Sequence, residues 1–246
     1  MPSLEAYSSR LDYAYAPGFF PAMECLLHRP DLVRRVLLHS KAEGTEAADR
    51  LCETAERLHV RVEIADRALQ RISQKENCFA AAVFSKFDEP LRDEKPHVVL
   101  HNPSDCGNVG TILRTSLGFG VEDVALIRPC ADAFDPRTVR ASMGSLFQLR
   151  LRVYDSFEAY RAEHPDHMLY PFMLDSSRSL PDVLAGTIPE RWALVFGNEG
   201  SGLPKSFAGL GQPVRIPSND RVDSLNLSIA AAIGIYAFTQ RPGGCI

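Results

Sequence analysis

The pattern of apolar and polar positions divides the chain into two modules of alternating helices and strands. In the first module, Leu51, Ala55 and Leu58 recur at helical spacing, whereas residues 78–84 form a continuous apolar run typical of a buried strand. These signals predict a small α/β domain over residues 1–90. Its predicted helices are 21–28, 46–58 and 67–72, and its predicted strands are 33–38, 60–64 and 78–84.

The charged segment 88–96 separates the modules. It is bracketed by prolines and has no apolar periodicity, which indicates either a linker or a loop within a single domain. Residues 97–246 then alternate strand and helix, a pattern that predicts a mostly parallel sheet with ligands at the carboxyl ends of its strands. The predicted strands are 97–101, 124–127, 149–154, 168–174, 192–196 and 214–216, and the predicted helices are 108–117, 136–144, 157–163 and 224–239.

Composition narrows the class of protein. Of 246 residues, 45% are hydrophobic and 24% are charged, as in an ordinary globular protein, and the net charge of −4 argues against coating nucleic acid by bulk electrostatics. The N-terminus lacks the pattern of a secretory signal, and the most apolar stretch, 225–238, is too short to span a bilayer. Six scattered cysteines without a C-x-x-C pair predict free thiols and no zinc site. We therefore expect a cytoplasmic protein without membrane contact.

Three polar segments follow predicted strands and are the candidates for chemistry. The first, 102–114, continues into a helix on which Val109, Ile112 and Leu113 share one face and Arg114 lies on another. Taken alone, Arg114 is equally consistent with an ordinary exposed side chain on an amphipathic helix. The segment becomes informative only together with the other two.

The second segment, 194–204, is an apolar strand that runs into a loop with three glycines, where backbone amides can approach a ligand closely. The third, 216–228, is a polar cluster in which Ser224 or Asp223 is a candidate N-cap. It leads into a helix that is apolar on every side. Such a helix must be covered all round, by the sheet and by a second subunit.

Together, the three segments resemble the SpoU/TrmH family of the SPOUT methyltransferases. The family's Asn-x-Gly followed by Arg corresponds to Asn108, Gly110 and Arg114. Its strand followed by Gly-Asn-Glu-Gly corresponds to residues 197–200. Its Ile-Pro followed by Ser-Leu-Asn-x-Ser corresponds to Ile216 and Pro217 with residues 224–228.

This resemblance implies a SPOUT-type α/β fold in which a parallel sheet carries a C-terminal trefoil knot, preceded by a small α/β RNA-binding domain. It implies S-adenosylmethionine as cofactor, RNA as substrate with ribosomal RNA favoured over transfer RNA, a homodimer formed through the knot, and no metal. The implied catalytic residues are Arg114, Asn108, Glu199, Ser224 and Asn226. The implied cofactor-binding residues are Phe196, Gly197, Asn198, Gly200, Ile216, Pro217 and Leu225. Basic side chains of the first module that could meet RNA phosphates are Arg29, Arg34, Arg35, Lys41, Arg71 and Lys75.

The reaction implied is methylation of a ribose 2′-hydroxyl, and three alternatives stay open. A catalytically silent RNA-binding protein would have no need of the five implied catalytic residues, all of which are present. A doubly wound oxidoreductase requires Gly-x-Gly-x-x-Gly after its first strand, which residues 97–108 lack. A base-methylating SPOUT enzyme is disfavoured by the helix that carries Asn108, Gly110 and Arg114.

Overall fold

A computed structural model describes residues 5–72, 78–219 and 221–240, which form two units. The first unit contains the described residues up to Phe87 together with Asp132–Gln148, and the second contains Asp88–Ala131 and the described residues from Leu149 onward. In chain order, the strands are β1 (Tyr13–Pro17), β2 (Val33–Leu38), β3 (Val62–Ile64), β4 (Ala80–Ser85), β5 (His97–His101), β6 (Asp123–Ile127), β7 (Arg150–Tyr154), β8 (Met168–Pro171) and β9 (Trp192–Phe196). The helices are α1 (Phe19–His28), α2 (Glu46–Arg57), α3 (Asp66–Ile72), α4 (Cys106–Gly118), α5 (Pro136–Ala141), α6 (Phe157–Glu163), α7 (Leu180–Leu184) and α8 (Leu227–Thr239).

The sheet of the first unit has the order β1-β4-β2-β3, in which only the β2–β3 pair is parallel. Strand β1 was not predicted, because four of its five residues are buried and it shows no alternation of apolar and polar positions. Segment Asp132–Gln148 belongs to this unit by its aromatic packing. The rings of Phe134 and Phe147 lie 6.2 and 4.9 Å from that of Phe84. This division differs from the predicted boundary, which assigned everything after residue 97 to the second domain.

Several basic side chains of the first unit are held by neighbours within it. Arg34 pairs with Asp12 at 2.8 Å, and Arg35 pairs with Glu63 at 3.3 Å. The Arg29 guanidinium lies over the Phe87 ring and donates to a backbone carbonyl. Of the six basic residues expected to meet RNA, Arg34, Lys41 and Arg71 are exposed, and Lys75 lies outside the described residues.

The second unit contains the predicted parallel sheet, with five strands in the order β7-β6-β5-β9-β8. Its central strands are continuous apolar runs because both faces of the sheet are covered. Residues 88–96, predicted as a linker, pack within this unit. Leu91 is buried, and Arg92 binds the fully buried carboxylate of Asp123 at 2.6 Å.

The structure corrects the predicted elements in three places. Residues 214–216 form no named strand, and only isolated bridges join Val214 to Phe172 and Arg215 to Ser179. Helix α7, which was not predicted, begins at a capping box of Ser179 and Asp182. Helix α8 begins at Leu227 and not at residue 224. Within the described ranges, none of the helices combines the length and hydropathy that crossing a bilayer requires.

Candidate functional site

The first two polar segments meet at the carboxyl edge of the parallel sheet. Strands β5 and β9 are direct neighbours, so the loops that follow them start side by side. The side-chain amide of Asn198 donates to the carbonyl oxygen of Asn102 at 2.9 Å and ties the two loops together. In parallel sheets, ligands usually bind at the carboxyl ends of the strands, which is where these two loops begin.

Glu199 fastens the second segment to the start of α4. Its carboxylate accepts hydrogen bonds from the backbone amides of Ser104 (2.9 Å) and Asp105 (3.0 Å). It also accepts from the hydroxyl of Ser104 (2.6 Å) and the side-chain amide of Asn108 (3.2 Å). Burial opposes ionisation of Glu199, but these donors outweigh it and lower the pKa of the carboxyl to about 2. The carboxylate is therefore ionised, and its oxygens are occupied by hydrogen-bond donors.

The third segment joins the same set of hydrogen bonds through Asn226. Its side-chain amide donates to the side-chain oxygen of Asn108 at 3.1 Å. Its own side-chain oxygen accepts from the backbone amides of Ser228 and Ile229 and thereby caps α8. Asn226, Asn108 and Glu199 thus form a continuous hydrogen-bonded series that links all three segments.

The predicted N-cap of the last helix was wrong. Asn226 occupies the cap position, whereas Ser224 is exposed and lies at the edge of a cavity. The observed cap lies two or three residues after the predicted one. Serine, aspartate and asparagine are all strong capping residues, so the sequence pattern alone does not distinguish them.

The loop after β9 is a tight turn held by one asparagine. The side-chain oxygen of Asn198 accepts from the backbone amides of Gly200 (2.9 Å) and Ser201 (3.1 Å). The backbones of Asn198 and Gly202 also exchange two hydrogen bonds. A Cβ atom on Gly197 would lie 2.2 Å from the carbonyl carbon of Gly202. The turn therefore requires glycine at position 197 for space.

A cavity of about 190 Å³ opens beside this turn. Of the predicted site residues, those that line it are Phe196, Gly197, Asn198, Glu199, Gly200, Ile216, Ser224 and Leu225. Pro217 is exposed and does not line the cavity. Asn108, Arg114 and Asn226 also lie outside its lining.

The sequence reasoning missed an aromatic wall of this cavity. Phe172, the first residue after β8, stacks on the ring of Phe196 with centroids 4.5 Å apart. Since β8 is the neighbour of β9, its carboxyl end was available as a signal. Ser104 was missed as well, although it directly precedes the Asp105 cap of α4. Stacked rings beside backbone amides and one carboxylate can hold a flat heterocycle with a polar edge.

Arg114 is placed differently from the rest of the predicted set. Its neighbours Val109, Ile112 and Leu113 are buried, as predicted, while Arg114 is on the exposed side of α4. Within the described part of the chain it forms no hydrogen bond or ion pair, so the asparagines and Glu199 do not hold it. A guanidinium in this state is free to meet an anionic ligand.

Comparison with known proteins gives a consistent result. Residues 95–236 match the model of the SpoU rRNA Methylase family. The chain is 34% identical over 141 residues to ribosomal RNA small subunit methyltransferase G 2 of Syntrophobacter fumaroxidans, covering 55% of this chain and 26% of that protein. It is 32% identical over 146 residues to the 23S rRNA (adenosine(1067)-2′-O)-methyltransferase of Streptomyces laurentii, covering 58% of this chain and 54% of that protein. The matched region thus spans about half of these curated relatives or less.

The fold is also that of a solved relative. The SpoU methyltransferase AviRb from Streptomyces viridochromogenes, in complex with the cofactor AdoMet, superposes with a TM-score of 0.78 over 93% of this chain and 90% of that chain. The two are 24% identical, so this likeness concerns the fold. The family match covers more than half of the chain, and it includes all three polar segments that meet at the edge of the sheet. The chain belongs to the SpoU rRNA methylase family.

Proposed function

We propose that this chain transfers a methyl group from S-adenosylmethionine to a ribose 2′-hydroxyl of RNA, with ribosomal RNA favoured over transfer RNA. The observation that carries the proposal is the hydrogen-bonded series of Asn226, Asn108 and Glu199, which brings the three family motifs together beside one cavity. The name of the Streptomyces laurentii relative, a 23S rRNA 2′-O-methyltransferase, supports the ribose and the ribosomal RNA. Such a substrate implies a cytoplasmic location.

The residues around the cavity fit the cofactor. The rings of Phe172 and Phe196 offer a flat surface, and Gly197 and Gly200 line the cavity without a side chain that would block a purine edge. Ile216 and Leu225 are assigned to the same binding site because they line the cavity, and Asn198 shapes the turn. Pro217 does not line the cavity, and its assignment rests on the family motif alone. S-adenosylmethionine supplies an electrophilic methyl group on its sulfonium.

Arg114 is assigned to the acceptor RNA. Because a guanidinium stays protonated in proteins, Arg114 is no proton acceptor. Its role is to bind a phosphate beside the target ribose and to stabilise negative charge that develops on the 2′-oxygen. Correct placement of that oxygen supplies much of the rate in an in-line methyl transfer.

The other polar residues act by position. The Glu199 carboxylate accepts five hydrogen bonds and its pKa is about 2, so it too is unsuited to accept a proton near neutral pH. Glu199, Asn108 and Asn226 fix the start of α4 relative to the start of α8. Ser224, exposed at the cavity, is assigned a contact with the cofactor.

We assign the chain between residues 194 and 228 to a trefoil knot. Its support is the path of residues 214–215 beside the end of β8. The backbones of Pro171 and Met173 are hydrogen-bonded to Val214, and that of Leu180 is bonded to Arg215. Threading at this position requires the chain to return to the segment after β8 at a point later in the sequence than β9.

A homodimer through α8 follows from the exposed apolar side chains of that helix. Ile229 and Tyr236 are 52% and 54% exposed, and the Tyr236 ring contacts that of Phe119. Exposed large apolar side chains on one helix are typical of a protein–protein interface. Residues 1–90 are assigned to RNA binding, for which Arg34, Lys41 and Arg71 are the exposed cations among the five predicted residues that the structure describes.

The test is transfer of tritium from labelled S-adenosylmethionine to total RNA from a strain that lacks the gene. We expect label in a 2′-O-methylnucleoside, lost in Arg114→Ala and kept in Arg191→Ala, which removes an exposed arginine at the amino end of β9. Label in a methylated base would keep the fold and overturn the ribose. No label in any RNA, with RNA binding intact, would indicate the silent binding protein.

A further inference from the structure

Three histidines meet at the amino edge of the parallel sheet, the edge away from the proposed cofactor cavity. His97 opens β5, His164 follows α6, and His167 directly precedes β8. One ring nitrogen of each lies within 4.8 Å of the other two, and the residues are 0–2% exposed. No sequence motif predicted this cluster, because the sheet brings His97 to the other two from a distant part of the chain.

Hydrogen bonds fix the tautomers of two of the rings. Nε2 of His97 lies 3.0 Å from the carbonyl oxygen of Arg92, and Nε2 of His167 lies 2.9 Å from that of Lys95. A carbonyl oxygen can only accept, so both Nε2 atoms donate and the lone pair of each neutral ring is on Nδ1.

The third ring is held by a carboxylate. Nδ1 of His164 lies 2.6 Å from Oδ1 of Asp93 and donates to it, which leaves the lone pair of the neutral ring on Nε2. Metal-bound histidines characteristically donate the other ring N–H to a carbonyl or carboxylate in this way, which orients the ring and raises its basicity as a ligand. All three acceptors here come from one short segment, 92–95.

We propose that His97, His164 and His167 bind one divalent transition-metal ion of the zinc type. Zinc binds neutral imidazole at about 2.0–2.1 Å. The His97 and His167 rings are stacked, with centroids 4.0 Å and planes 23° apart, so binding requires one of these rings to rotate out of the stack. Asp93 and Glu163, whose carboxylates lie 2.6 and 3.7 Å from His164 nitrogens, offset the charge. The site serves structure, since it joins segment 92–95 to the starts of β5 and β8 and lies a full strand length from the cavity. It does not depend on the proposed methyl transfer.

Two tyrosines and one aspartate define how an ion would enter. The hydroxyls of Tyr160 and Tyr154 each lie 3.0 Å from a lone-pair nitrogen, of His97 and His164 respectively. An arriving ion displaces these two donors, and the hydroxyls then serve as a further ligand or bind a metal-bound water. The Asp93 side chain is 69% exposed, so the cluster lies one side chain below the surface.

The test uses full-length protein stripped with a chelator and titrated with Co²⁺ and Zn²⁺. We expect one ion per chain, with visible cobalt absorption typical of nitrogen and oxygen ligands. Affinity should fall about tenfold or more in His167→Gln and His164→Gln, and about tenfold in Asp93→Asn, which removes an orienting carboxylate. His28→Gln, in a surface histidine of α1, should bind as the unmodified chain does.

The cobalt spectrum of the unmodified protein tests the proposed metal site even if a histidine variant does not fold. No bound cobalt would overturn the site and leave the cluster a purely hydrogen-bonded one. Thiolate-to-cobalt charge-transfer absorption would assign the ion to cysteines and would also overturn it. Equal loss of affinity in His28→Gln would show binding unrelated to the cluster.

Discussion

The side-chain amide of Asn226 donates to the side-chain oxygen of Asn108 at 3.1 Å and connects the first turn of α4 to the cap of α8. Asn108 passes the connection on, because its own amide donates to Glu199. One asparagine therefore holds the first family motif to both of the others. Each amide uses donor and acceptor at once, which a carboxylate or an alkyl side chain cannot do.

Removal of Asn108 should uncouple the three motifs. In Asn108→Ala we expect cofactor affinity to fall about tenfold, with about 1 kcal/mol of stability lost for the two hydrogen bonds. A double-mutant cycle with Asn226→Ala should show a non-additive stability term of about 0.5–1 kcal/mol. Calorimetric titration with S-adenosylmethionine and urea unfolding measure both. Asn219→Ala, in the exposed part of the third segment, is the matched control. Strict additivity in the cycle would mean that the two asparagines act independently.

Glu199 should make the stability of the second unit depend on acid pH. Its pKa is about 2 in the folded chain against an ordinary 4.5, so ionisation stabilises the fold above pH 4.5. That contribution, about 2 kcal/mol after allowance for partial exposure, is lost as the pH falls from 4.5 towards 2. Glu199→Gln should therefore be less stable than the unmodified chain at pH 7, and the difference should narrow below pH 4.5. A difference that stays constant across this range would contradict the assigned hydrogen bonds.

Sequence patterns predicted the strands, helices and loop residues whose conformation depends on their own local sequence. Strands such as β9 and the helix α6 have the predicted bounds, because continuous apolar runs and a capped amphipathic turn are unambiguous signals. The site residues of the loop after β9 were also predicted, and all of those from Phe196 to Gly200 line the cavity. What was missed depends on tertiary packing. Phe172 became a cavity residue only because β8 lies beside β9.

The position of Arg114 shows the same limit. The helical spacing predicted its exposed face, but it gave no information about which side chains Arg114 contacts. Glu199 and the two asparagines are hydrogen-bonded to one another, and among the described residues none of the three bonds to Arg114. Spacing along a helix predicts which side chains share a face, but partners across segments depend on how the loops close.

Gly197 should be irreplaceable in the turn after β9. An alanine Cβ there would lie 2.2–2.5 Å from backbone atoms of Gly202 and Leu203, which cannot move without opening the turn. We expect Gly197→Ala to cost about 3 kcal/mol or more and to abolish cofactor binding. Gly209→Ala, outside the turn and the cavity lining, is the control, since an added Cβ there meets no atom within 4 Å. Thermal unfolding with and without S-adenosylmethionine compares them. Equal behaviour of the two variants would show that space at Gly197 is not the constraint.

Gly234 should affect the cavity that we propose for the cofactor, because it lies behind the aromatic wall of that cavity. It is buried in α8, and an added Cβ would lie 2.6 Å from the Phe172 ring and 3.1 Å from that of Phe196. Alanine in a helix interior is favoured over glycine by about 1 kcal/mol, whereas forcing a methyl into a packed core costs about 1–3 kcal/mol. The aromatic pair can yield only by shifting into the cavity, so Gly234→Ala should lose about tenfold in cofactor affinity with little net change in stability.

The matched control for Gly234 is Gly118→Ala at the end of α4, where an added Cβ meets no atom within 4 Å. This variant should keep its cofactor affinity, and its stability should stay the same or rise. Because the steric conflict of Gly234→Ala is with the far end of the Phe172 side chain, adding Phe172→Leu should relieve the strain. The double variant should then be more stable than Phe172→Leu alone. Alanine at position 234 favours the helix, and without the Phe172 ring no steric conflict offsets that gain. If Gly234→Ala instead binds S-adenosylmethionine as tightly as the unmodified chain, the stacked rings do not form the wall of the cofactor site.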